Sequence, residues 1–207
     1  APGGTIANSG DLIANNADGS GGEVKINSAS TGATGGSPTS AIGVTNLSGR
    51  IDVSGIVGGR VEVLGDEVHL TGATIEAYGT ADGGVVLIGG DFQGKNSAIA
   101  NARTTTVDTA SSINADSTQL GNGGQVIIWA DDTTTFAGAI TARGGANGGN
   151  GGFGEISGKR TPDHSGLANR SAPVGNTGTL LRHPTHLPTR RTQATTPLNQ
   201  PGPANPQ

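Results

Sequence analysis

The chain of 207 residues has no cysteine and no methionine, and its aromatics are one Trp, one Tyr and three Phe. Without cysteine there is no disulfide framework, no thiolate metal site and no thiol nucleophile. With so few Leu, Met and aromatic positions, an ordinary globular core is excluded. The apolar residues are mainly Ile, Val and Ala, which suit pleated surfaces that stack in layers. No apolar run approaches the ~18 residues of a membrane helix, so no membrane insertion is expected. No signal peptide opens the chain and Ala1 is not an initiator Met, so the sequence reads as a fragment or processed piece.

What is abundant is glycine, at 38 residues, and it is patterned. A Gly-Gly pair followed by alternating apolar residues recurs at Gly21-Gly22, Gly58-Gly59, Gly83-Gly84, Gly123-Gly124 and, weakened, Gly151-Gly152. A second motif recurs between them: Arg50-Ile51-Asp52-Val53, Thr74-Ile75-Glu76-Ala77, Ser112-Ile113-Asn114-Ala115 and Ala139-Ile140-Thr141-Ala142. The pairs are spaced by 37, 25, 40 and 28 residues. A constant motif at irregular spacing indicates stacked coils carrying loops of varying length.

Within a coil the alternation has period 2. Val61 and Val63 point in, Arg60 and Glu62 out; Ile75 and Ala77 point in, Thr74 and Glu76 out. Val68 and Leu70 make a third short run. Three short strands per coil predict an all-β fold, a parallel β-helix or solenoid, over residues 1–158. The pair glycines are expected to supply positive φ at the corners. The longest insertion is expected at 89–106, and residues 144–152 as a flexible loop.

Eight of the ten prolines lie beyond Lys159. Proline cannot donate to a central ladder. Residues 159–182 are therefore a doubtful last coil and 183–207 a disordered, Pro-rich tail. Charge divides at the same place. Residues 1–158 hold 6 Lys/Arg and 15 Asp/Glu, whereas 159–207 hold 6 Lys/Arg and one acid, Asp163. An acidic body argues against nucleic-acid binding, and the tail has no aromatic to stack a base.

Residues 58–158 resemble the large exoproteins related to filamentous haemagglutinin, adhesins of the two-partner secretion type. The resemblance rests on Gly65-Asp66-Glu67-Val68-His69-Leu70, on Val86 to Gly94, on Val126-Ile127-Ile128-Trp129-Ala130-Asp131-Asp132-Thr133-Thr134, and on Ala142 to Gly145 with Ser157-Gly158-Lys159. It implies a right-handed β-helix and export by an outer-membrane two-partner transporter. It also implies a secreted or cell-surface location and a structural or adhesive role toward host or cell-surface glycans or proteins. The amino-terminal secretion domain, with its Asn-Pro-Asn-Gly motif, is not found, which places the segment further along the rod. Thr177 to Leu181 still resembles the family, but Arg182-His183-Pro184 departs from it and reads as a truncated or frame-shifted end.

The alternative to an adhesive rod is a polysaccharide-processing enzyme on the same fold, with Asp131 and Asp132 as acid and base. Such a site also needs histidine or basic partners, and none is expected near the pair. The simpler reading is a solvated corner. Trp129 shares the strand face of Ile127 and is a carbohydrate-contact candidate if exposed. Thr104-Thr105-Thr106 and Thr133-Thr134-Thr135 recur on too few coils for an ice-binding array. The loop 144–152 lacks the Lys-Ser/Thr of a phosphate loop and the Asp of a calcium nonapeptide. Asp66, Glu67 and Asp91 are carboxylates suited to a hard cation only if they converge. No cofactor or metal is expected.

Overall fold

Alternating apolar residues bounded by glycine fold as short strands, each burying one face. The structure, a computed structural model, describes residues 4–30 and 42–184. The described residues wind through six coils. The first holds β1 (Thr5–Asn8), β2 (Asp11–Ile13) and β3 (Glu23–Asn27). The second holds β4 (Val44–Leu47), β5 (Arg50–Asp52), β6 (Gly55–Val57) and β7 (Arg60–Leu64). The third holds β8 (Glu67–Leu70), β9 (Thr74–Glu76), β10 (Gly79–Asp82) and β11 (Val85–Ile88). The fourth holds β12 (Thr104–Val107), β13 (Ser112–Asn114) and β14 (Gln125–Ala130). The fifth holds β15 (Thr133–Phe136), β16 (Ala139–Thr141) and β17 (Phe153–Gly158), and the sixth β18 (Thr161–His164), β19 (Leu167–Asn169) and β20 (Thr179–Pro184).

Equivalent strands stack into three six-stranded sheets: sheet I is β1-β4-β8-β12-β15-β18, sheet II is β2-β5-β9-β13-β16-β19 and sheet III is β3-β7-β11-β14-β17-β20. All named pairings are parallel. This is a parallel β-helix. β6 and β10 add a two-stranded fourth side in the second and third coils, which three strands per coil did not anticipate.

The interior is built of aligned rows. Ile51, Ile75, Ile113 and Ile140 stack in sheet II, and Val63, Ile88, Ile128 and Ile156 in sheet III. These side chains are at most 1% exposed, as are Val61, Ala77, Val126 and Ala142. In sheet I the row runs Leu47, Leu70, Val107, Phe136. Beside it lies a polar row. Thr45, Thr105 and Thr134 are fully buried and donate to the carbonyls of Leu64 (2.8 Å), Trp129 (2.7 Å) and Ser157 (2.7 Å). Each bond ties the start of sheet I to the end of sheet III within one coil. The third coil has Val68 at this position. There the equivalent carbonyl, Gly89, instead accepts the N–H of Ala102 at 2.7 Å, because an insertion returns beside it. Buried acceptors must be paired somehow, and the sequence meets that demand in two ways.

The recurrent glycine pair has a specific task. The N–H of its second member donates to the carbonyl that ends the preceding triplet: Gly59 to Val53 (2.8 Å), Gly84 to Ala77 (2.7 Å), Gly124 to Ala115 (2.7 Å) and Gly152 to Ala142 (2.8 Å). The expectation of positive φ at these glycines does not hold, for none of the pairs adopts it. They are needed for space. A Cβ at Gly58 would stand 2.0 Å from the Ala77 carbonyl oxygen, and one at Gly59 2.1 Å from that of Gly22. Just before the pairs, Asp82, Asn122 and Asn150 form a ladder. Each side chain accepts a backbone N–H from the next coil, those of Asn122, Asn150 and Asn176, at 2.8 Å.

Three segment expectations change. The sixth coil is formed, since β18, β19 and β20 continue all three ladders. β20 runs to Pro184, so the proposed start of disorder at His183 falls inside a strand; residues 185–207 lie outside the described residues. The 144–152 loop is tied to the coil beneath it by backbone bonds, among them Gly145 N–H to the Gly121 carbonyl (3.0 Å) and Asn147 N–H to that of Gln119 (2.7 Å).

Replacing Gly124 by Ala brings a Cβ within 2.0 Å of the Gly84 carbonyl oxygen. It is expected to lower stability by about 1–3 kcal/mol or more, read as a fall in the urea midpoint. Gly10→Ala is the control, because no atom lies within 4 Å of its added Cβ.

His164 continues the Phe136 row, its ring centroid 5.4 Å from that of Phe136. Burial, reinforced by the nearby Arg182 charge, holds its pKa below the ordinary imidazole value. A group that protonates less readily when folded favours the unfolded coil as it charges. The last coil should therefore be fully stable above the unfolded imidazole pKa of about 6.5. Stability should fall as pH drops through that value toward the lower folded one. Amide exchange in β18 and β19 at pH 7 and pH 5 tests this. Equal protection at both pH values, or the same acid loss in His164→Phe, would refute it.

Candidate functional site

The residues singled out for chemistry lie at the corner where sheet III passes the chain to sheet I. β14 ends at Ala130, Asp131 and Asp132 make the turn, and β15 begins at Thr133. One coil on, Lys159 and Arg160 make the equivalent turn between β17 and β18. One coil back stands Arg103, and the corner before that is Gly65-Asp66 with Glu67 opening β8. Backbone bonds stack these turns. Asp132 N–H donates to the Arg103 carbonyl (3.0 Å), and Arg160 N–H to that of Asp132 (3.2 Å).

Charge alternates up this stack. Arg103 pairs with Glu67. Lys159 Nζ is 2.7 Å from Asp131 Oδ1, and Arg160 Nε is 3.6 Å from Asp132 Oδ1. The expectation that no basic group stands near Asp131 and Asp132 is therefore corrected. The signal was present: Asp131 and Lys159 are 28 residues apart, the same interval as Gly123 to Gly151. Neighbours in a solenoid are one coil apart, not adjacent in sequence. Of the histidines, His69 sits on β8, 3.8 Å from Glu67, and His164 ends β18. These pairs are partly exposed, and each contributes on the order of 0.2–1 kcal/mol.

Trp129 does lie on the outer face of sheet III beside Ile127, but it is 1% exposed. With Leu87 and Ile127 it forms a second apolar cluster outside the main core. The cover is the insertion after β11, residues 89–103, which crosses the sheet as a strap. Its single-turn 3-10 helix, Phe92–Gly94, is capped by Asp91, whose side chain accepts the Phe92 N–H at 2.7 Å. Gly94, with φ of 61°, rests on the indole; a Cβ there would lie 2.5 Å from Nε1. The indole N–H donates to Asp131 Oδ1 (3.1 Å), which Asn101 Nδ2 also reaches at 3.2 Å. So Asp131 is a hub joining strap, tryptophan and Lys159. Trp129 is enclosed and offers no face to a sugar ring.

The remaining candidates separate. Asp66 accepts bonds from the Ser30 hydroxyl and the Gly43 N–H, both 2.7 Å. Glu67 is held by Arg103, and Asp91 by the strap's own Phe92 and Asn96. Among the described residues no group of three or more His, Cys, Asp or Glu gathers to hold a metal ion. Thr104-Thr105-Thr106 and Thr133-Thr134-Thr135 pair in register, but their middle members point inward. Among the described residues, no helix is long and apolar enough to cross a membrane.

No protein-family model matches the chain, and no curated protein does. Among solved structures the chain is similar to the crystal structure of the HMW1 secretion domain from Haemophilus influenzae. The TM-score is 0.64 at 27% sequence identity, over 86% of this chain and 47% of that one. The chain thus spans about half the length of that structure. The likeness falls within a domain named for secretion. The sequence had instead suggested a rod segment lying beyond such a domain.

Proposed function

We propose that this chain is a β-helical segment of an exported bacterial surface protein of the two-partner secretion type, handled by an outer-membrane transporter. In this reading its role is structural and adhesive rather than catalytic, at the cell surface or after release. The observation that carries the reading is the likeness to the HMW1 secretion domain over 86% of the chain. The fold supports it physically. A rod whose coils bond chiefly to the coils before and after them can form progressively as an extended chain emerges from a pore. Surface glycans or proteins are its proposed partners, engaged through the connections that stand out from the coils.

Two measurements test this. In cells making the intact parent protein, surface protease should reach the segment, and deleting the neighbouring transporter should trap it inside. Secretion unchanged by that deletion would sink the export reading.

The enzyme alternative rests on Asp131 and Asp132. Their alternation with Arg103, Lys159 and Arg160 favours a charge ladder that holds the stack in register. The purified chain is expected to release no reducing sugar from acidic or neutral polysaccharides. Release that disappears in Asp132→Asn would establish the enzyme instead.

A further inference from the structure

The fourth, fifth and sixth coils each send a connection outward between sheets II and III. Side by side these connections enclose a half-open cavity of 210 Å³, whose walls include Thr118, Arg143, Ala146, Ser171 and Pro173. Each wall comes from a different coil: Thr118 follows β13, Arg143 and Ala146 follow β16, Ser171 and Pro173 follow β19.

Arg143 is held in place before any ligand arrives. Its backbone N–H donates to Asp116 Oδ1 at 2.6 Å, while Nε and Nη2 lie 2.9 and 2.8 Å from Oδ2 of the same carboxylate. Asp116 is 2% exposed and serves as a buried clamp. It occupies the Nε–Nη2 edge of the guanidinium, so Nη1 remains for another acceptor, and the side chain is 53% exposed. Among the described residues the hydroxyls of Thr118 and Ser171 have no protein partner, whereas that of Ser117 is bonded to the Ala81 and Leu120 carbonyls, both 2.8 Å. The cavity therefore presents one fixed cation and two free hydroxyls, with Ala146 and Pro173 as an apolar wall.

A guanidinium with a free edge is suited to a carboxylate, and fixing it beforehand lowers the entropic cost of binding. Hydroxyls beside an apolar wall suit a sugar ring. The body around the site is acidic, with 15 Asp/Glu against 6 Lys/Arg over residues 1–158, which opposes a dense polyanion. We propose that this cavity is a subsite for a singly charged acidic sugar, its carboxylate on Arg143 and its ring hydroxyls on Thr118 and Ser171. The proposal deepens the adhesive reading, but it is tested on the purified chain without reference to export.

The probes are galacturonic acid, its methyl ester and inorganic sulfate, each titrated into the whole purified chain and followed by amide and guanidinium NMR. Galacturonate should give saturable shifts at Thr118, Arg143 and Ser171. The uncharged ester should bind at least about tenfold more weakly, since it forfeits a charge-assisted bond. Arg143→Gln is a poor sole test, because it leaves Asp116 buried without its cation. Ala146→Phe, on an exposed loop position, fills the cavity and keeps the clamp; it should abolish the shifts, and Thr118→Val should weaken binding. No shifts at millimolar galacturonate, an ester that binds equally, or binding that survives Ala146→Phe would each overturn the subsite. Sulfate competing as well as galacturonate would overturn the sugar assignment. None of these outcomes alters where the protein is found in cells, so failure here is distinct from failure of the export reading.

Discussion

One hydrogen bond recurs in every coil and organises the rest: the N–H of a glycine at the entry to sheet III donates to the carbonyl that ends sheet II. It appears at Gly22, Gly59, Gly84, Gly124, Gly152 and Gly178, with lengths of 2.7–2.8 Å throughout. The bond closes the coil on itself, whereas the ladders only join one coil to the next. Closure sets the cross-section, and a constant cross-section lets Ile51, Ile75, Ile113 and Ile140 fall into one row. It also brings backbones so close that a Cβ at the pair glycines has no room. Glycine here is a steric requirement of stacking, and it costs chain entropy that the aligned core must offset.

The other closures are less uniform, and the variation follows from what lies outside. At the corner from sheet III to sheet I, interior threonines bond a carbonyl at or next to the end of sheet III in the second, fourth and fifth coils. Where the strap leaves after β11 the chain itself supplies the donor, and Val68 replaces threonine without leaving the acceptor unpaired. The strap in turn buries Leu87, Ile127 and Trp129 on a face that would otherwise meet water. A single insertion thus changes both the inside and the outside of the coil that carries it.

Much of this was legible in the sequence. Period-2 alternation identified the strands and their inward residues, and the recurrence of Gly-Gly with Ile-x-Ala identified the coils. The reason for the glycines was not legible, because crowding depends on the neighbouring coil and not on local φ. Alternation puts Trp129 on the face of Ile127, but its cover comes from residues 89–103, and alternation along a strand says nothing about what lies on it. Lys159 and Arg160 went unseen beside Asp131 and Asp132 for a related reason. Contacts in a solenoid are offset by one coil, so the partner of a residue is found by adding the local repeat length, 28 here, and irregular spacings obscure that sum.

Closing the coil at the glycine pair also frees what precedes it. The connections 115–124, 142–152 and 170–178 differ in length and composition, yet each ends at a glycine bonded to the end of sheet II. A loop cinched at its base can change without disturbing the core rows, and function tends to gather in such loops. The Asp82, Asn122 and Asn150 ladder keeps successive loop bases aligned, so side chains from three coils meet at fixed positions. That is why Thr118, Arg143 and Ser171, distant in sequence, share one cavity. The alternating corner of Arg103, Asp131, Asp132, Lys159 and Arg160 is the contrasting case. Its turns are short, and its carboxylates are matched to basic groups from the adjacent coil, which joins one turn to the next.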